Sequence, residues 1–98
     1  MSPELSNILR KLRQLLPLLS KTYKVESLGI FGSYVRQEQR DNSDLDILVT
    51  FSDVPSLLKY IELENYLSDT LRVRVDLVMK DALKPAIGEQ ILREVITV

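Results

Sequence analysis

Neither cysteine nor histidine occurs anywhere in the 98-residue chain. Without cysteine there are no disulfides and no thiolate nucleophile, and an oxidising compartment is not required. Without histidine, imidazole acid–base catalysis, Ser-His triads and His-ligated zinc all drop out. Tryptophan is missing too, and the glycines number only 3, so the position of each is informative. Charge of one sign is not in excess either. The 13 Lys+Arg against 14 Asp+Glu leave a net charge of −1, whereas general nucleic-acid binding calls for a basic surplus or a Lys/Arg patch. No apolar run approaches the roughly 20 residues that span a bilayer. The opening Met1-Ser2-Pro3-Glu4 lacks the basic and apolar segments of a secretory leader. The expectation is a cytoplasmic protein with no membrane segment, folded as one domain over residues 1–98. Any catalysis it performs must run on carboxylates, hydroxyls, Lys, Arg and a hard cation.

Periodicity predicts a helix over residues 3–22. Ser2 is placed to cap it, and Pro3 sits at the first helical position, where its missing N–H is no loss. Leu5, Ile8, Leu9, Leu12, Leu15, Leu16 and Leu19 form its apolar face, and Pro17 is expected to kink it or split off its last turn. A short apolar strand follows over 26–31 and ends at Gly32-Ser33. Residues 34–40 suggest a helical turn or two, and Asp41-Asn42-Ser43 is turn chemistry. A second strand is expected over 45–51. From Pro55 a helix should run to about Thr70, with Leu57, Leu58, Ile61, Leu67 and Leu71 buried and with Tyr60 and Leu63 off that stripe. Residues 72–79 alternate as a strand, with Val73, Val75, Leu77 and Met79 on one face and Arg74, Asp76 and Val78 on the other. A short helix over 85–94 and a β-prone tail over 95–98 complete the order. The fold class is α/β (α+β), with helices packed on a mixed sheet.

Chemistry concentrates between Gly32 and Val49. Asp44 and Asp46 open an otherwise apolar strand, and a period of two puts both carboxylates on one face about 6 to 7 Å apart. Paired anions on one strand face repel, and a Mg²⁺ ion shared with phosphate oxygens and water relieves that repulsion. Asp76, in the third strand, would join them if that strand lies beside the second. Gly32-Ser33, leaving a strand and entering a helix, allows backbone N–H groups and a serine hydroxyl to approach a phosphate. A lone Gly-Ser is usually a turn and a lone Asp-x-Asp usually a solvated strand end. Their conjunction, with a later strand carboxylate, describes a site for metal-assisted phosphoryl or nucleotidyl transfer.

That conjunction, Gly32-Ser33, ten residues, then Asp44-x-Asp46 and the later Asp76, resembles the polymerase-β-like nucleotidyltransferase superfamily. The chain length resembles its smallest branch, the minimal nucleotidyltransferases (MNT). The resemblance implies a nucleotidyltransferase-fold mixed sheet packed with helices. It implies that Gly32, Ser33 and Arg36 bind the nucleotide and that Asp44, Asp46 and Asp76 are the catalytic carboxylates. It further implies two Mg²⁺ ions held by those carboxylates, with ATP as substrate. Relatives usually carry glycine where this chain has Gln37, a departure that bears on the loop after Gly32-Ser33. Lys80 and Lys84 are weaker candidates for neutralising a triphosphate.

No acceptor-binding domain fits in this length, so a second chain is the expected supplier of the acceptor. The resemblance implies a HEPN-type toxin as that partner in a hetero-oligomer, with AMP transferred from ATP to a hydroxyl of the toxin, a tyrosine in the family. A catalytically silent, nucleotide-binding or steric antitoxin subunit is the alternative. A transferase acting on a small molecule or nucleic acid is a third reading, against which the missing basic surplus counts.

Overall fold

Helix α1 (Pro3–Tyr23) begins where Ser2 Oγ accepts a hydrogen bond from the Leu5 N–H at 3.1 Å. In the computed structural model, which describes residues 1–98, strand β1 (Val25–Phe31) follows directly. A one-turn helix α2 (Ser33–Arg36) leads through the 37–44 loop to β2 (Leu45–Phe51). Helix α3 (Leu57–Leu71), β3 (Val75–Met79), a 3-10 turn (Lys80–Ala82), α4 (Pro85–Glu94) and the short β4 (Ile96–Thr97) complete the chain. The Cα radius of gyration, 12.8 Å, matches the roughly 13 Å expected of a domain this long. No helix is long and apolar enough to cross a membrane.

The four strands form one mixed sheet in the order β3-β2-β1-β4. Strands β1 and β2 are antiparallel, β2 and β3 are parallel, and β4 adds antiparallel to β1. Helix α3 is therefore the crossover that a parallel pair requires. Helices α1 and α3 cover one face of the sheet. Leu5, Leu9, Leu12 and Leu19 of α1 and Leu63 and Leu67 of α3 are buried with Ile30, Leu45, Ile47, Val49, Val75 and Leu77 in one cluster. Phe31 and Leu48 are buried outside that cluster, on the opposite face. Alternation along β2 and β3 places Asp46 and Asp76 on that second face.

Three local expectations are corrected. Pro17 does not split off the last turn of α1, which runs on to Tyr23 as one helix. Pro17 itself is exposed, and the full burial of Leu19 beyond it holds the last turn onto the sheet. Helix α3 is rotated from its apolar stripe. Leu57 and Leu58 are 73% and 80% exposed and Ile61 is exposed too, while Leu63 is fully buried and Tyr60 packs against the core. The reason lies at the free edge of β3. Glu64 Oε2 accepts from the Leu77 N–H at 2.8 Å, Ser68 Oγ accepts from the Val75 N–H at 3.0 Å, and the Tyr60 hydroxyl donates to the Leu77 carbonyl. Residues 60, 64 and 68 lie on one helix face, and that face must meet the strand because unpaired edge groups left buried are costly. Finally, the third strand begins at Val75 rather than Arg72, while the single turn α2 lies within the helical turn or two expected.

Candidate active site

Gly32 leaves β1 with φ +83°, a conformation that favours glycine. Its close approach to β2 demands glycine a second time, since a Cβ at this position would overlap Asp46 Oδ2. Ser33 then opens α2 and is half-buried beside it. Gln37 adopts the left-handed conformation (φ 59°) and ends α2 by donating its N–H to the Ser33 carbonyl. A non-glycine residue in that conformation costs about 1 kcal/mol.

The parallel register brings Asp46 opposite Asp76 on adjacent strands. Asp44 lies just before β2, and its Oδ1 accepts from Arg74 Nε at 2.6 Å. Burial, followed by the like charges of Asp76 and Asp44, pushes the Asp46 carboxyl from 3.8 up to about 6, against a smaller pull from Arg36. Burial and the nearby carboxylates Glu64 and Asp76 likewise push the Tyr60 phenol up to about 12. Asp46 is the electrostatically crowded centre of the site.

The sequence-predicted residues assemble unevenly. Gly32, Ser33 and Arg36 follow one another through the β1–α2 junction, with Gly32 against Asp46. No three acidic side chains are arranged to grip one metal ion together, and Asp44 is engaged by Arg74. The donor set nonetheless fits a hard divalent cation. It consists of carboxylate oxygens alone, and such a cation would remove the carboxylate repulsion that adds to burial in raising Asp46. Lys80 and Lys84 are not gathered here. Lys80 lies at the far end of β3, four residues beyond Asp76 and hence about 13 Å along the strand, and Lys84 is exposed at the start of α4.

Two participants were not anticipated. Arg74 precedes Asp76 by two residues as Asp44 precedes Asp46, so the parallel register alone pairs Arg74 with Asp44. It also lines the molecule's largest recess, about 610 Å³, with Tyr34, Arg40, Asn42 and Arg72. The second is Glu94, in the last turn of α4. Its Oε2 accepts from the Gly32 N–H at 3.0 Å and its Oε1 from Arg36 Nη1 at 2.8 Å. A carboxylate at a helix C-terminus opposes the helix dipole, the one signal in the sequence that Glu94 has another partner.

Comparison with known proteins places this geometry. The model of the family "Polymerase beta, Nucleotidyltransferase" matches residues 13–98. The protein adenylyltransferase MntA of Thermococcus cleftensis is 55% identical over 80 residues, covering 82% of this chain and 81% of that protein. A candidate protein adenylyltransferase of Methanocaldococcus jannaschii is 50% identical over 96 residues, covering 97% of this chain and 95% of its own. Among solved structures, a candidate minimal nucleotidyltransferase superposes with a TM-score of 0.77 at 38% identity, over 94% of both chains. A toxin–antitoxin structure with AMP-PNP superposes with a TM-score of 0.72 at 28% identity, over 87% of this chain and 69% of that one. The chain belongs to the polymerase beta nucleotidyltransferase family, among relatives named as protein adenylyltransferases.

Proposed function

We propose that this protein is a Mg²⁺-dependent nucleotidyltransferase that moves AMP from ATP to a hydroxyl, a tyrosine, of a partner protein, and that it serves as the antitoxin of a HEPN-type toxin. The observation that carries this reading is the in-register pair Asp46 and Asp76 beside the Gly32–Ser33 turn. The identity to a named protein adenylyltransferase supports the reaction class. The likeness to a toxin–antitoxin structure containing AMP-PNP supports both the nucleotide and the kind of partner. Exposed Val54, Leu57, Leu58 and Ile61 form an apolar strip that a partner chain can cover.

Ser33 and Arg36 hold the triphosphate at the β1–α2 junction. Asp76 is the more exposed of the facing pair, and it receives the proton of the acceptor hydroxyl. That oxygen attacks the α-phosphorus in line, the bond to the β-phosphate oxygen breaks, and pyrophosphate leaves. Asp44, Asp46 and Asp76 would hold Mg²⁺, which would neutralise the phosphates and lower the pKa of the attacking hydroxyl.

The Arg74–Asp44 ion pair favours a second reading, a nucleotide-binding or steric antitoxin subunit without turnover. Label transfer from α-labelled ATP with Mg²⁺ and host lysate separates the two. A labelled protein that appears with the native chain and vanishes with Asp44→Ala/Asp46→Ala is the expected result. Label that persists in the double variant overturns the mechanism. ATP binding without label selects the second reading.

A further inference from the structure

Glu94 spans the phosphate side of the site from outside the sequence motif. It is separated from Gly32 by most of the chain, yet its two carboxylate oxygens divide between the Gly32 N–H and Arg36 Nη1. Its backbone is fixed on the C-terminal side. The chain passes from Glu94 through Val95 into β4, whose Ile96 pairs with Ile30 and Thr97 with Gly29. Val95 packs so closely on β1 that a Cβ at Gly29 would lie 2.5 Å from its Cγ2. The Glu94 side chain is only 20% exposed, whereas that of Arg36 is 47% exposed. A largely buried anion therefore grips a half-exposed cation.

The rest of Arg36 fits the same picture. Glu38 Oε1 lies 3.3 Å from its Nε, so carboxylates occupy two of the three guanidinium nitrogens and Nη2 has no protein partner. The Glu94 carboxylate is the main reason the Arg36 guanidinium is held above its ordinary pKa. The oriented cation stands near enough to Asp46 to favour that residue's charged form.

We infer that Glu94 is a positioning residue. It fixes the Gly32 backbone and presents Arg36, with Nη2 free, to the nucleotide phosphates. This rests on the proposed use of ATP and extends it to a residue in α4. A gate is the opposing arrangement, in which the Glu94 carboxylate sits where a phosphate would bind and has to leave. The two differ in sign, because removing a positioning anion weakens nucleotide binding and removing a competing anion strengthens it.

The test is calorimetric titration of ATP with Mg²⁺ into the native chain, Glu94→Gln, Arg36→Ala and the double variant, with KM and kcat for label transfer in parallel. Glu94→Gln keeps the shape but can accept only one of the two hydrogen bonds. It should weaken ATP binding about tenfold, the weight of one charge-assisted contact. KM should rise by the same factor, with kcat within about twofold and the melting temperature within about 2 °C. In the double variant the two losses should be clearly less than additive, since Glu94 acts largely through Arg36. Unchanged affinity in Glu94→Gln overturns the positioning role, as do additive losses in the double variant. Tighter binding overturns it in favour of the gate. If Glu94→Gln fails to fold, Glu94→Asp keeps the charge but is too short for both contacts, so a folded Glu94→Asp with native affinity overturns the role equally. A native chain that binds no ATP overturns the underlying reading instead.

Discussion

The two halves of the site are built on opposite electrostatic terms. On the side of Gly32, Ser33 and Arg36, charges are matched. Arg36 lies between Glu94 and Glu38, and the Gly32 N–H is satisfied by Glu94. On the side of Asp46 and Asp76, two carboxylates face each other across a parallel register and burial raises one of them to about 6. The satisfied half is preorganised at rest. The crowded half is electrostatically strained, and under the proposed function that difference separates a surface for binding from a surface for chemistry.

Breaking the junction between the halves should have the largest effect. Gly32→Ala introduces a Cβ both at positive φ and into Asp46 Oδ2. It should lower stability by about 2 to 3 kcal/mol, read by urea unfolding, and abolish label transfer. Near-native transfer by this variant would mean that the two halves are not held in register by Gly32.

Relieving only the crowded half should do the reverse. An unfolded aspartate titrates near 3.8 and folded Asp46 near 6, so the folded state holds this proton more tightly. Stability from this group is then greatest below 3.8 and is lost as pH rises through 6. Asp46→Asn should therefore stabilise the metal-free protein above pH 6, by about 1 kcal/mol after allowing for solvent screening of a half-exposed carboxylate. The gain should shrink to nothing near pH 4. Thermal melts across that range check the sign, and added Mg²⁺ should raise the melting temperature of the native chain but not of the variant.

The smallest effect is expected in the satisfied half. Gln37→Gly relieves a left-handed residue at the end of α2 and should stabilise by about 0.5 kcal/mol, the relief being offset in part by the freer unfolded chain. Denaturant midpoints measure it, and ATP affinity should stay unchanged because the loop already has this conformation.

Much of this was legible along the chain. Asp44, Asp46, Asp76 and Gly32-Ser33 announce themselves because each breaks an apolar strand or ends one, and strand alternation fixes which face they share. The cap at Ser2 and most of the α1 stripe follow from a period of 3.6. The rotation of α3 was not legible, because Leu57, Leu58 and Ile61 form as good a stripe as the buried one. What decided between them was the hydrogen bonding of the β3 edge by Tyr60, Glu64 and Ser68. Arg74 and Glu94 escaped for a related reason, since each acquires its role from a residue 30 or 58 positions away.

The sequence by itself determined the chemistry that is possible: oxygen ligands without imidazole or thiolate, a turn that only glycine can make, and the strand faces on which the carboxylates stand. Those are properties of residue type and of short-range backbone period. Only the tertiary structure decided which charges meet. The parallel register set Asp46 against Asp76 and Arg74 beside Asp44, and the β4 pairing carried Glu94 to Arg36. Coulomb forces and hydrogen bonds act through space at a few ångströms, and separation along the chain does not encode that distance.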